Sequence, residues 1–253
     1  MVEVIPAILE KDFAEIEKKI HLVEGLVSWI QIDIADNTLL PNTTFLDPEP
    51  FAQFTTSVFK TGDAKEGVPT GASLVLNPPQ AGDFEAKVGK LSRQDPLNFE
   101  LHLMVKDPLR YLERFASVGF KRFYAHVEGD YVDEYIEKCN QLGVEAGLAI
   151  DGPTPFDRIH KYLDNLDCIL VMAIEAGFSG RSFRDDTIEK IKKIREADLE
   201  IPISVDGAMI PENAKKVTTA GATRINSNSY IFQSPDVKIA IEKLKSIEDN
   251  RHL

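Results

Sequence analysis

The chain is poor in cysteine, in tryptophan and in positive charge, and each shortage excludes something. Two cysteines, Cys139 and Cys168, in 253 residues cannot build a disulfide framework, and their spacing suggests no zinc knuckle. Both lie in apolar stretches, where a small buried hydrophobe is the ordinary role. No apolar run reaches the roughly 18 residues that a membrane span needs, and the opening MVEVIPAILEKD carries no basic leader. A reducing cytoplasm is the compartment these features lead one to expect. Lys and Arg total 29 against 41 Asp and Glu, a net charge of -12, which argues against a nucleic acid or a membrane surface as partner, since both are polyanions. A small anionic ligand remains admissible where backbone amides or a few cations offset the global field.

What is present describes an ordinary globular protein, 43% apolar and 28% charged, of a length that suits one closed α/β barrel spanning residues 1–253. Short β-branched runs alternate with amphipathic helical patterns, the behaviour of βα units around a parallel sheet. Eight strands are expected near residues 4–9, 29–33, 99–104, 123–127, 145–150, 169–172, 203–205 and 223–226. Phe13, Ile16, Ile20 and Val23 fall at helical spacing, as do Val237, Ile241 and Leu244. Asp107-Pro108, Thr154-Pro155, Pro211 and Ser234-Pro235 mark helix starts, and Gly25, Gly119, Gly143 and Gly221 mark stops. Residues 61–97 are too long for a connection and read as an insertion with a strand-like stretch at 72–76 and a helical one at 84–91. Joining a helix to the next strand, it is expected on the N-terminal face of the barrel, where contact within a homo-oligomer is one use. The charged end, residues 248–253, is expected to fray.

Barrel chemistry gathers at the C-terminal ends of strands, which singles out Gln31 and Asp33 on strand two, His102 on strand three and Asp206 after strand seven. Alternation puts Gln31 and Asp33 on one face, the barrel interior if Ile30, Ile32 and Ile34 face the helices. Taken singly, each has an ordinary reading: a turn aspartate, a hydrogen-bonded core histidine, a capping aspartate. Their convergence on three strands carries the functional reading.

Those residues sit in runs that resemble the ribulose-phosphate 3-epimerase family. Trp29-Ile30-Gln31-Ile32-Asp33-Ile34-Ala35-Asp36 followed by Pro41-Asn42-Thr43-Thr44-Phe45 is similar to one family signature, and His102-Leu103-Met104-Val105 with Asp107-Pro108 to another. His126-Val127-Glu128, residues 146–150, Val171-Met172, Gly177-Phe178-Ser179-Gly180 and Val205-Asp206-Gly207 with Pro211-Glu212-Asn213 follow in order. Only the insertion lies outside the alignment. The resemblance implies a (β/α)8 TIM barrel and an isomerase of pentose-phosphate and carbohydrate metabolism, metal-assisted, moving a proton at C3 of a ketose phosphate such as D-ribulose 5-phosphate. It implies one divalent ion (Zn, Fe, Mn or Mg) held by Asp33, His102 and Asp206, with Asp33 and Asp206 as the acid and base.

The chain departs from the pattern at several places. Gln31 stands where the family has the fourth ligand, a histidine, and an amide oxygen is a weaker ligand than imidazole for zinc or iron. Glu10 replaces a substrate-facing serine; it either supplies a ligand, or repels substrate, or is an acid favoured at a helix N-terminus. Ala35 takes the place of one of three methionines, leaving Met104 and Met172, and Asn37 replaces a glycine. For the phosphate, the resemblance implies a cup of backbone amides at Gly177, Phe178, Ser179 and Gly180, at Gly207 and Ala208, and at Asn228 and Ser229, with Arg181 either a further cation or a solvated loop residue. Beside the epimerase stand two other readings: a sugar-phosphate-binding barrel of the same family with lost or altered catalysis, and a structural barrel that binds a partner through its insertion.

Overall fold

The computed structural model describes residues 2–55, 97–174 and 182–247. Strands and helices alternate: β1 (Glu3–Ile8), α1 (Phe13–Val23), β2 (Trp29–Ala35), α2 (Ala52–Thr55), β3 (Asn98–Met104), α3 (Leu109–Ser117), β4 (Arg122–His126), α4 (Val132–Leu142), β5 (Glu145–Ile150), α5 (Asp157–His160), β6 (Cys168–Met172), α6 (Asp186–Ala197), β7 (Ile203–Asp206), α7 (Pro211–Ala220), β8 (Arg224–Ser227), α8 (Ser229–Phe232) and α9 (Val237–Lys245). The strands close into a parallel barrel in sequence order, with β8 returning to β1 from the pair Glu3 and Arg224 to the pair Pro6 and Ser227. Closure leaves no unpaired edge. Among the described residues no helix is long and apolar enough to cross a membrane.

Local chemistry explains the helices. Asp12 caps α1 by accepting from the Ala14 N–H at 2.9 Å, and Ile16, Ile20 and Val23 bury one stripe against the barrel. Pro211 opens α7 at its first turn, and α4 ends where Gly143 turns left-handed at φ 69. At α9 the cap is Asp236, accepting from the Ile239 N–H at 3.0 Å, and the Ser234 expected there instead accepts from the Asp236 N–H.

Period-two alternation divides each strand between two environments. On β2, Ile30, Ile32 and Ile34 are buried in the layer between barrel and helices. That layer is densest beside β3, where Phe51 meets Phe13 at 5.2 Å and Phe120 at 5.4 Å, both edge-on. Such pairs contribute about 0.5–1.5 kcal/mol each beyond their area. The inward side chains form a second, smaller core in which Tyr124, Ala149, Cys168, Leu170 and Met172 pack with Leu40 from the loop after β2. Both cysteines are free and buried.

The insertion, its two internal stretches and its position lie outside the described residues, as do residues 177–181 and 248–253.

Candidate functional site

The barrel interior is polar on two levels. Near the N-terminal ends, Arg122 donates through Nη1 to Glu100 Oε2 at 2.7 Å and through Nε to Glu145 Oε2 at 2.6 Å, while its guanidinium lies 3.9 Å from the Trp29 ring centroid. Arg224 pairs with Glu3 at 3.1 Å. Asn226 donates through Nδ2 to Glu100 Oε1 at 2.8 Å and to Gln31 Oε1 at 2.7 Å. Burial pushes the Glu100 carboxyl above its ordinary range, against the pull of Arg122.

Above this level, at the C-terminal mouth, Asp33, His102 and Asp206 converge, all buried, with one ligand atom from each within 4.8 Å of the others. Register places them: Asp33 pairs with His102 across β2 and β3, and Asp206 with Asn226 across β7 and β8. Gln31 Nε2 lies between the carboxylates, donating to Asp33 Oδ1 at 2.8 Å and to Asp206 Oδ2 at 2.6 Å. The orientation of that amide follows from the network, because Asn226 already donates to Glu100 and so meets Gln31 with a second N–H, which requires the Gln31 oxygen.

Burial pushes the Asp33 carboxyl up to about 8, against the Gln31 hydrogen bond, and burial with the Asp33 charge pushes Asp206 up to about 7. Burial and the neighbouring His126 hold His102 down at about 3, so its ring is neutral. No Lys or Arg pairs with either aspartate among the described residues. Two carboxylates and a neutral imidazole, close together and short of positive charge, fit one divalent cation. Gln31 turns a donor, not a lone pair, toward that point, so as oriented it supplies no fourth ligand.

The remaining expected residues fall on both sides of the outcome. Met104, Met172, Gly207, Ala208, Asn228 and Ser229 line one cavity together with Asp33, His102 and Asp206. Glu10 does not join the cluster: its carboxylate binds Lys19 at 2.6 Å, and Lys19 in turn lies 4.8 Å over the Phe232 ring. Gly177, Phe178, Ser179 and Gly180 lie outside the described residues. Gly207 adopts φ 110, and a Cβ there would meet Ile174 at 2.4 Å, so only glycine fits. Ala208 holds φ 53, a left-handed conformation that costs a residue with a Cβ about 1 kcal/mol. Asn213 of α7 clamps it by donating to the Ala208 carbonyl at 2.8 Å.

Sequence reasoning missed Leu9, Ile174, Met209, Asn226 and Ser227 on the cavity wall. For Asn226 the signal was there, a polar side chain inside a short strand facing Asp206. His126 and Glu128 belong to a motif of the sequence that by itself assigns them no role. His126 Nε2 is 2.9 Å from His102 Nε2, and its Nδ1 is 3.0 Å from Glu128 Oε2. Burial raises the Glu128 carboxyl, but hydrogen bonds from His126, Thr154 and the Asp151 N–H outweigh it and hold it down at about 2.

Residues 84–232 match the model of the ribulose-phosphate 3 epimerase family. The chain is 29% identical over 244 residues to ribulose-phosphate 3-epimerase of Eremothecium gossypii, covering 96% of this chain and 91% of that one. To the Escherichia coli K12 ribulose-phosphate 3-epimerase it is 33% identical over 152 residues, 58% of this chain and 68% of that one. Among solved structures it resembles KGPDC from Streptococcus mutans, with a TM-score of 0.64 at 12% identity, covering 97% and 98% of the two chains. A 3-hexulose-6-phosphate synthase gives 0.63 at 13% identity over 97% and 99%. At such identities the structural likeness concerns the barrel fold alone.

Proposed function

Because the chain belongs to the ribulose-phosphate 3-epimerase family, we propose that it inverts C3 of a ketose phosphate such as D-ribulose 5-phosphate, with Asp33 and Asp206 as base and acid. One observation carries this reading: two buried carboxylates, from β2 and β7, flank one cavity at the C-terminal mouth and are tied through a single amide nitrogen.

The chemistry follows from acidity. The C3 proton of a ketose lies beside a carbonyl, so its removal leaves an enediolate. Inversion requires one group to take the proton and another to return one on the opposite face. With no ion between them burial holds these carboxyls at about 8 and about 7, and an ion bound to both would draw them down into the range of working bases. The Gln31 amide keeps the two acids apart and fixed in direction. Met104, Met172, Leu9 and Met209 make the wall apolar, which excludes water from the carbanionic stage. Asp33, His102 and Asp206 would hold a divalent ion, which would supply positive charge near the developing oxyanion, worth roughly several kcal/mol. The small residues Gly207, Ala208, Asn228 and Ser229 let backbone amides approach the phosphate.

One observation favours a second reading, a barrel that binds sugar phosphate without turning it over: Gln31 offers a donor where a fourth ligand would strengthen the metal site. Exchange of the C3 proton of D-ribulose 5-phosphate in D2O, followed by NMR with Zn, Fe, Mn and Mg in turn, separates the two. Exchange supports the epimerase. Binding of the sugar phosphate without exchange favours the second reading, and neither binding nor exchange overturns both.

A further inference from the structure

His126 sits one strand over from His102, with the two rings stacked at 25° and their centroids 5.1 Å apart. The row of contacts is continuous: Glu128 Oε2 to His126 Nδ1 at 3.0 Å, His126 Nε2 to His102 Nε2 at 2.9 Å, and His102 Nδ1 to Asp33 Oδ1 at 3.0 Å. The other Glu128 oxygen, Oε1, accepts from the Asp151 N–H at 3.0 Å. Neither His126 nor Glu128 lines the cavity, so neither meets a substrate directly.

Each contact in the row has a polarity. The Glu128 carboxylate only accepts, so a proton sits on His126 Nδ1. A neutral His126 then has a bare Nε2, and the short contact to His102 requires the proton of that bond to come from His102 Nε2. His102 is left with its lone pair on Nδ1, the nitrogen 3.0 Å from Asp33 Oδ1; without an ion that contact closes through a proton on the Asp33 carboxyl, and a divalent ion takes that proton's place. We propose that Glu128 is a positioning residue which, acting through His126, fixes the tautomer of His102 so that Nδ1 offers a lone pair to a divalent ion between Asp33 and Asp206. This rests on the metal reading given above. Metal-binding histidines are commonly oriented by a carboxylate on the far nitrogen; here the carboxylate works through one additional imidazole.

The substitution Glu128→Gln tests it with little change of shape. Its oxygen must still accept from the Asp151 N–H, which turns its NH2 toward His126 Nδ1 and reverses every polarity in the row. His102 then carries its proton on Nδ1 and has no lone pair for an ion. Nitrogen-15 NMR of the metal-free, histidine-labelled protein is expected to show His126 Nδ1 protonated in the wild type and bare in the variant. Calorimetric titration with Mn2+ or Zn2+ is expected to weaken by about 10–100-fold, while circular dichroism stays unchanged. Glu128→Asp, which remains an acceptor, keeps the wild-type tautomer. If Glu128→Gln leaves His126 Nδ1 protonated or binds the ion as tightly as wild type, the proposal is overturned and the metal reading stands. A bare His126 Nδ1 in the wild type overturns it without any variant. A wild type that binds no divalent ion overturns the metal reading, and this inference with it.

Discussion

Two levels of buried acids occupy the same barrel, and they differ in what answers their charge. On the lower level Glu100 is met by Arg122 at 2.7 Å and by the Asn226 amide at 2.8 Å, and Glu3 by Arg224. On the upper level Asp33 and Asp206 meet one amide, one neutral imidazole and each other. On the lower level each acid has a guanidinium partner, so its charge calls for no ion, while Arg224 Nη1 and Asn226 Oδ1 stay buried without a hydrogen-bond partner among the described residues. The upper level is short of cations, so it must take up a proton or an ion, and a site that must take up a proton or an ion is one that can exchange them. Gln31 and Asn226 join the levels in series, so the Glu100 carboxylate below helps determine which way the amide above points.

The comparison breaks most visibly at the upper level. Asp33→Asn and Asp206→Asn are each expected to lower C3 proton exchange by about two to four orders of magnitude without unfolding the barrel, as read by NMR exchange and circular dichroism. At the lower level the effect moves from activity to stability. Arg122→Met leaves Glu100 charged and unpaired in a site with no solvent access, and denaturant unfolding is expected to show a loss of about 3–5 kcal/mol. Should Arg122→Met prove neutral, the lower level is not the structural one.

A third prediction separates the levels by pH. Burial raises Asp33 to about 8 and Asp206 to about 7 in the folded chain, whereas unfolded aspartates titrate near about 3.9. The native state therefore holds protons that the unfolded state releases. In chelator, stability is expected to be full below about pH 4, to fall as pH rises, and to level off past about pH 8. A saturating divalent ion replaces those protons and should flatten the slope, which a Tm series from pH 4 to 9 reads directly. The smallest effect is expected from Gln31→His. Imidazole at this position exchanges a donor for a lone pair, so calorimetry should show Zn2+ affinity rising roughly tenfold, about 1.4 kcal/mol.

The barrel itself was legible in the sequence because period-two and helical spacing report burial, and burial is what closes the fold. All eight expected strands are present, with ends moved by a residue or two. β4 and β6 begin at Arg122 and Cys168, inward-facing residues that carry no apolar signal of the outer layer or too weak a one. Asp33, His102 and Asp206 were legible because they stand at strand ends where alternation fixes their direction. What could not be read is which atom of a side chain faces which neighbour. The Gln31 amide was an open choice between oxygen and nitrogen until Asn226, 195 positions away, fixed it. Glu10 was equally open, and Lys19, two helical turns along α1, was the partner that withdrew it from the cluster.

The seam between β1 and β8 has a consequence for how the chain is made. Gln31 reaches Asp206 across 175 positions, and β1 finds its second neighbour only when Arg224–Ser227 are available. At a synthesis rate of about 5–20 residues per second, the growing sheet stays open at both edges for roughly 10–45 s. A nascent chain released before β7 has Asp33 without its partner acid. One released between β7 and β8 carries both acids but lacks Asn226, so the two acids alone orient the Gln31 amide and its oxygen has no donor. Site assembly thus waits for β8, and a chain cut short near residue 220 would carry seven of the eight strands with the site electrostatically unset.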